Sequence, residues 1–81
     1  MKKTILITGA NRGIGFALTK LCLSKELYVE ACCRNPDNSH ELNYLSNNNP
    51  HLNITKMDVT SSKSILKASE NLKNEIDILV C

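Results

Sequence analysis

Tryptophan is absent from this 81-residue chain, and Phe16, Tyr28 and Tyr44 are its only aromatic residues. So few rings exclude the stacking platform on which single-stranded nucleic acid is usually held. Charge of one sign is scarce as well. Ten basic residues against eight acidic ones leave +2, too little and too scattered for a nucleic-acid or membrane-surface footprint. Long apolar runs are missing, and none approaches the ~18–20 residues of a membrane span. The lysine-led start MKKTILITG is interrupted by Gly9, Asn11 and Arg12, before the ~7–15 apolar residues of a secretory signal are complete. These absences read as a soluble, cytoplasmic protein with no nucleic-acid or membrane partner.

Cysteine pairing is lacking too. Cys22, Cys32, Cys33 and Cys81 show no C-x-x-C spacing, and adjacent strand residues point to opposite faces. The four read as reduced thiols used as small apolar residues. No metal site is indicated. His40 and His51 flank no acid or nucleophile at a catalytic spacing and read as loop residues, and Asn53-Ile54-Thr55 matches a glycosylation sequon by chance. Glycine is down to three, and here the sequence becomes informative. Gly9, Gly13 and Gly15 fall within seven residues, directly after Ile5-Leu6-Ile7-Thr8.

Apolar periodicity divides the chain. Thr4 to Thr8 is continuous and β-branched, the pattern of a strand buried on both faces. From Gly13, the residues Ile14, Ala17, Leu18, Leu21 and Cys22 recur at helical spacing, which predicts a helix to about Lys25 with that stripe facing the core. Tyr28 to Cys33 predicts a second strand, closed by Asn35-Pro36. A second helix is expected over Ser39 to Asn47, with Asn38 and Glu41 three apart as a capping box requires. Asn47 to Pro50 reads as a loop and Leu52 to Met57 as a third strand. Thr60 is the expected cap of a third helix whose Ile65, Ala68 and Leu72 share a face. Ile76 to Val80 starts a fourth strand beside the first, its outer edge open to self-association or to another chain.

The order βαβαβαβ predicts an α/β fold, a Rossmann-type doubly wound parallel sheet with right-handed crossovers. Residues 1–81 read as one incomplete dinucleotide-binding domain. A chain this short buries roughly 60–65% of its unfolded surface, so the expected core is thin.

A glycine turn that leaves a strand and opens a helix suits phosphate. Gly9 permits the sharp turn, Gly13 lets a pyrophosphate approach the backbone, and Gly15 lets the helix pack closely on the sheet. The free N–H groups at Gly13-Ile14-Gly15 would face the phosphates with the positive end of the helix dipole. The competing reading is a structural turn that needs no ligand. A triphosphate-hydrolysing loop would need Gly-Lys-Ser/Thr, which is not present.

Thr8 to Gly15, TGANRGIG, resembles the T-G-x-x-x-G-x-G loop of the short-chain dehydrogenase/reductase family. Asp58-Val59 is similar to the family's acidic residue after the third strand, which implies an adenine contact for Asp58 and a backbone contact for Val59. Asp77 to Val80 resembles the strand leading into the family's N-N-A-G motif. The resemblance covers the whole chain, roughly the first third of a family member. An NAD-preferring site has a carboxylate at the end of the second strand. Here Cys33 stands there, followed by Arg34 and Asn35, and Arg12 can reach the same region. Two guanidinium groups suit a ribose 2′-phosphate, which favours NADP(H) over NAD(H). Cys33-Arg34-Asn35 is similar to the sniffer-type carbonyl reductases. Glu30, three residues before Cys33, lies too far back to meet the ribose and is expected to point outward at a helix end.

The resemblance therefore implies a loop set of Gly9, Asn11, Arg12, Gly13, Ile14 and Gly15, joined by Arg34, Asn35, Asp58 and Val59. It implies no catalytic residue within the chain. The family's serine, asparagine, tyrosine and lysine lie beyond the fourth strand. Tyr44 has Asn48 four residues on and Tyr28 has Cys32, and neither partner can stabilise a phenolate. Dinucleotide binding is the expectation for residues 1–81, with reduction of a small carbonyl substrate in a full-length form. A non-catalytic binding module and an inert truncated product are the alternatives.

Overall fold

The computed structural model describes residues 3–70, 72 and 75–80. Its elements are β1 (Thr4–Thr8), α1 (Gly13–Ser24), β2 (Tyr28–Cys33), a 3-10 turn (Pro36–Asn38), α2 (His40–Asn47), β3 (Leu52–Lys56), α3 (Ser62–Glu70) and β4 (Ile78–Val80). All strand pairs are parallel, in the order β3-β2-β1-β4. The chain steps from β1 outward to β3, then crosses back to the other side of β1. This reversal makes the sheet doubly wound and opens a crevice at the strands' C-terminal ends.

Register sorts the side chains into two faces, because paired residues of parallel strands point the same way. Ile5 and Ile7, Val29, Ala31 and Cys33, and Leu52 lie on one face. With Cys22 of α1 and Leu42 of α2 they form the buried core, and Phe16, Leu18 and Leu45 pack against it. Right-handed crossovers put α1 and α2 over this face and α3 over the other.

The second face is more polar, and it corrects the reading of Glu30. The side chain does not point outward: it is 1% exposed, in line with Leu6 on β1 and Asn53 on β3. Asn53 Nδ2 donates to Glu30 Oε1 at 2.6 Å, which supplies the partner a buried carboxylate needs. Next on the same face, Cys32 has its pKa pushed up to about 12 by burial, then by the charge of Glu30 and by Cys33. Its thiol is a packing group. Asn53→Ala is expected to cost about 1–3 kcal/mol by leaving that carboxylate short of a donor. The check is a urea melt, with the midpoint lowered and the slope unchanged.

Helix faces depart from the hydropathy stripe. In α1, Ile14 is 87% and Leu21 54% exposed, whereas Thr19 and Cys22 are buried. Thr19 can enter the core because its hydroxyl donates to the Gly15 carbonyl at 2.8 Å. At α2 no Asn38–Glu41 capping box forms. Ser39 is the N-cap residue, its hydroxyl donating to the Asn35 carbonyl rather than capping the helix. His40 opens α2 instead of lying in a loop, while His51 precedes β3 and stacks on Tyr28.

Ser61, not Thr60, caps α3: its hydroxyl accepts from Ser64 N–H and its carbonyl from Ile65 N–H. Ala68 is buried, Ile65 is largely exposed, and Leu72 lies past the helix end. Strand β4 starts two residues later than its apolar pattern suggests. Asp77 pairs with the start of β1 twice, its N–H donating to the Thr4 carbonyl at 2.9 Å and its Oδ2 accepting from Thr4 N–H at 2.8 Å. Cys22, Cys32 and Cys33 are free thiols; Cys81 lies outside the described residues. Among the described residues no helix is long and apolar enough to cross a membrane, and no cluster of ligating side chains could hold a metal ion.

Candidate functional site

Past Thr8 the backbone turns through Gly9 at φ +61° and Gly13 at φ +59°, a left-handed conformation that side chains disfavour. The loop is tied to β2 by Ala10 N–H donating to the Cys32 carbonyl at 3.1 Å. No atom lies within 4 Å of where a Cβ would stand on Gly9 or Gly13, so both face open space. Gly15 is different. A methyl there would overlap the Gly9 carbonyl oxygen and stand 2.9 Å from the Gly9 carbonyl carbon and 3.2 Å from Ala10 Cα. This glycine lets the helix start rest on the loop itself, whereas the motif suggests contact with the sheet.

Among the described residues, no side chain caps α1 and no acidic residue lies in its first turn. By contrast, α2 carries Glu41 there. The N–H groups of α1 and the positive end of its dipole are therefore available to an anion.

Beside this turn is a cleft of about 440 Å³ lined by Thr8, Gly9, Asn11 and Arg12, by Cys33, Arg34 and Asn35 after β2, and by Met57 and Val59 after β3. Three strand ends thus meet at the C-terminal edge of the sheet, on the β2 side of the β1–β4 switch point. Of the residues picked from sequence, Gly9, Asn11, Arg12, Arg34, Asn35 and Val59 come together on this wall. Gly13 and Gly15 shape the turn behind it, Ile14 projects into solvent, and Asp58 stands outside the lining. Met57 was not legible as a lining residue, although its place next to Asp58 after a strand is the available signal. Cys33 lines the cleft's base, while its buried sulfur lies 3.6 Å from Ser39 Oγ.

Charge on this wall is organised around Arg34, whose side chain is 76% exposed and whose Nε lies 4.0 Å from Asp58 Oδ2. Asp58 Oδ1 accepts from the Thr60 hydroxyl at 2.6 Å and from Thr60 N–H at 2.9 Å. These bonds, the hydroxyl foremost, hold the Asp58 carboxyl below the usual carboxylate range, with Arg34 adding to them and slight burial opposing. Asp58 N–H donates to Ser64 Oγ at 2.8 Å, fastening the residue to α3.

Residues 3–81 match the short chain dehydrogenase family. The chain belongs to that family. One relative, human 3-keto-steroid reductase/17-beta-hydroxysteroid dehydrogenase 7, is 35% identical over 86 residues, covering 100% of this chain and 25% of that protein. A carbonyl reductase from Pseudomonas aeruginosa PAO1 in complex with NADP superposes with a TM-score of 0.87 at 30% identity, over 95% of this chain and 36% of that one. The carbonyl reductase Sniffer of D. melanogaster gives 0.74 at 31% identity, over 83% and 28%. The chain thus spans between 25% and 36% of these family members. Neither tyrosine lines the cleft. Tyr44 is 73% exposed on α2, and Tyr28 stacks on His51 with ring centroids 4.8 Å apart.

Proposed function

We propose that this chain binds NADP(H) in the cleft between β1, β2 and β3, and that it is the N-terminal part of a short-chain oxidoreductase reducing carbonyl compounds with NADPH in its full-length form. The observation that carries the reading is the pair of guanidinium groups, Arg12 and Arg34, on a cleft whose β2 end offers Cys33 in place of a carboxylate. The site fits such a ligand: open space over Gly9 and Gly13 admits a phosphate, and the uncapped α1 supplies donors. The NADP held by the Pseudomonas reductase supports it further. Likeness to Sniffer, together with the run Cys33-Arg34-Asn35, favours the carbonyl-reducing class.

Within this reading, α1's first N–H groups, from Gly13 through Ile14 to Gly15, hold the pyrophosphate. Arg12 and Arg34 hold the 2′-phosphate, with Asn11 and Asn35 beside them, while Asp58 and Val59 meet the adenine. The bound dinucleotide would supply hydride, and these residues bind and orient it. Binding, not turnover, is assigned to residues 1–81.

Calorimetric titration of the chain with NADPH and NADH in phosphate-free buffer tests the proposal. NADPH is expected to bind about tenfold or more tightly than NADH, a difference of about 1.4 kcal/mol. Equal affinities would remove the basis for the two-arginine clamp.

A further inference from the structure

We propose that Thr60, which does not line the cleft, sets cofactor choice by fixing the Asp58 carboxylate, which in turn holds Arg34 with its terminal nitrogens left for the phosphate. The inference rests on the NADP(H) reading and assigns a positioning residue that neither the glycine motif nor the cleft lining marks.

The geometry is a relay of two contacts. Thr60 gives both its hydroxyl and its N–H to one oxygen, Asp58 Oδ1. That pair of hydrogen bonds fixes the carboxylate's rotation and leaves Oδ2 as the oxygen facing Arg34 Nε. Since the Asp58 backbone is itself fastened to Ser64 of α3, the carboxylate is held from both ends. A guanidinium carries five N–H donors in a rigid fork. Asp58 Oδ2 stands at ion-pair distance on the Nε side, 4.0 Å away, which leaves the four donors of the two terminal nitrogens, the set that grips a phosphate through parallel bonds.

Orientation matters here because Arg34 is 76% exposed. A long side chain free in solvent loses rotamer freedom when it clamps a ligand, and one already held loses less. Only a cofactor with the extra phosphate gains from that arrangement, so the relay acts on the preference for NADPH over NADH. A lysine at position 34 could not serve both partners, because an ammonium is a single compact charge.

Thr60→Val isolates the relay, since every charge remains and only the hydroxyl donor goes. The ratio of NADH to NADPH dissociation constants, measured by calorimetry on the chain, is expected to fall about two- to fivefold, the size an exposed ion pair supports. Thr60→Ser keeps the hydroxyl and is expected to restore the ratio. The Arg34 Nε–Hε resonance, followed by NMR without cofactor, is expected to shift in Thr60→Val and return in Thr60→Ser. A purely structural turn residue would weaken both dinucleotides alike and leave the ratio unchanged, and that result overturns the inference. A raised ratio also overturns it, because Asp58 would then be competing with the phosphate for Arg34. If the unsubstituted chain fails to discriminate between the dinucleotides, the NADP(H) reading falls and this inference with it. An unchanged ratio in Thr60→Val on a discriminating parent sinks the relay alone.

Discussion

Gly15→Ala is expected to lower the thermal midpoint of the chain by about 10–20 °C, and Gly15→Val to remove the cooperative transition altogether. The added methyl meets main-chain atoms: it overlaps the Gly9 carbonyl oxygen and crowds Ala10 Cα. A flexible side chain could swing aside, but this stretch of backbone is pinned. Ala10 N–H is bonded to the Cys32 carbonyl, and Gly9 already sits at φ +61°. Forced overpacking typically costs about 1–3 kcal/mol, and at ~0.05–0.15 kcal/mol per residue a domain of this size has only about 4–12 kcal/mol to lose. In so small a domain each kcal/mol moves the midpoint by about 4–8 °C. Gly13→Ala provides the contrast. Its methyl would enter open space, so the cost is the left-handed backbone alone, about 1–2 kcal/mol. Calorimetric melts of the three variants check the ranking, and a Gly15→Ala melt matching the parent would contradict the close approach.

Arg34→Asp carries the other large expected effect, on binding rather than folding. NADPH affinity is expected to fall about 30- to 100-fold. Charge-assisted hydrogen bonds worth about 1.5–3 kcal/mol are lost, and a new carboxylate stands beside that of Asp58. NADH has no 2′-phosphate and is expected to change less than about threefold, by reference to the small energies of exposed ion pairs. The parent guanidinium is 76% exposed, so the melt is expected to stay unchanged. Titrations with both dinucleotides read the split, and an equal loss for the two would place Arg34 away from the ribose.

The strand pattern was legible because β-branched and apolar runs such as Thr4–Thr8 and Tyr28–Cys33 are buried on both sides and leave no other assignment. Their order implied the parallel sheet, and with the family resemblance β4 was expected beside β1, as observed. What hydropathy misread were polar groups that satisfy themselves. Thr19 closes onto Gly15 and joins the core. Glu30 is satisfied by Asn53, twenty-three residues away in sequence, a pairing visible only once β2 and β3 are in register. Asp77 stands in for strand backbone at the start of β4. The site was half legible in the same sense. The glycine motif and the arginines are local signals, whereas the Thr60–Asp58–Arg34 contacts join two strand ends and leave no mark in a linear reading.

The exposure of Arg34, beside the buried crowding at Gly15, separates two kinds of evolvability in one crevice. The turn that admits a dinucleotide is also the turn on which the first helix is seated, so substitutions there are judged first by whether the protein survives them. On the proposed reading, the group that tells one dinucleotide from the other, Arg34, projects into solvent one residue beyond the core's Cys33. On that reading, a single surface replacement changes the dinucleotide preference and leaves the turn's foundation untouched.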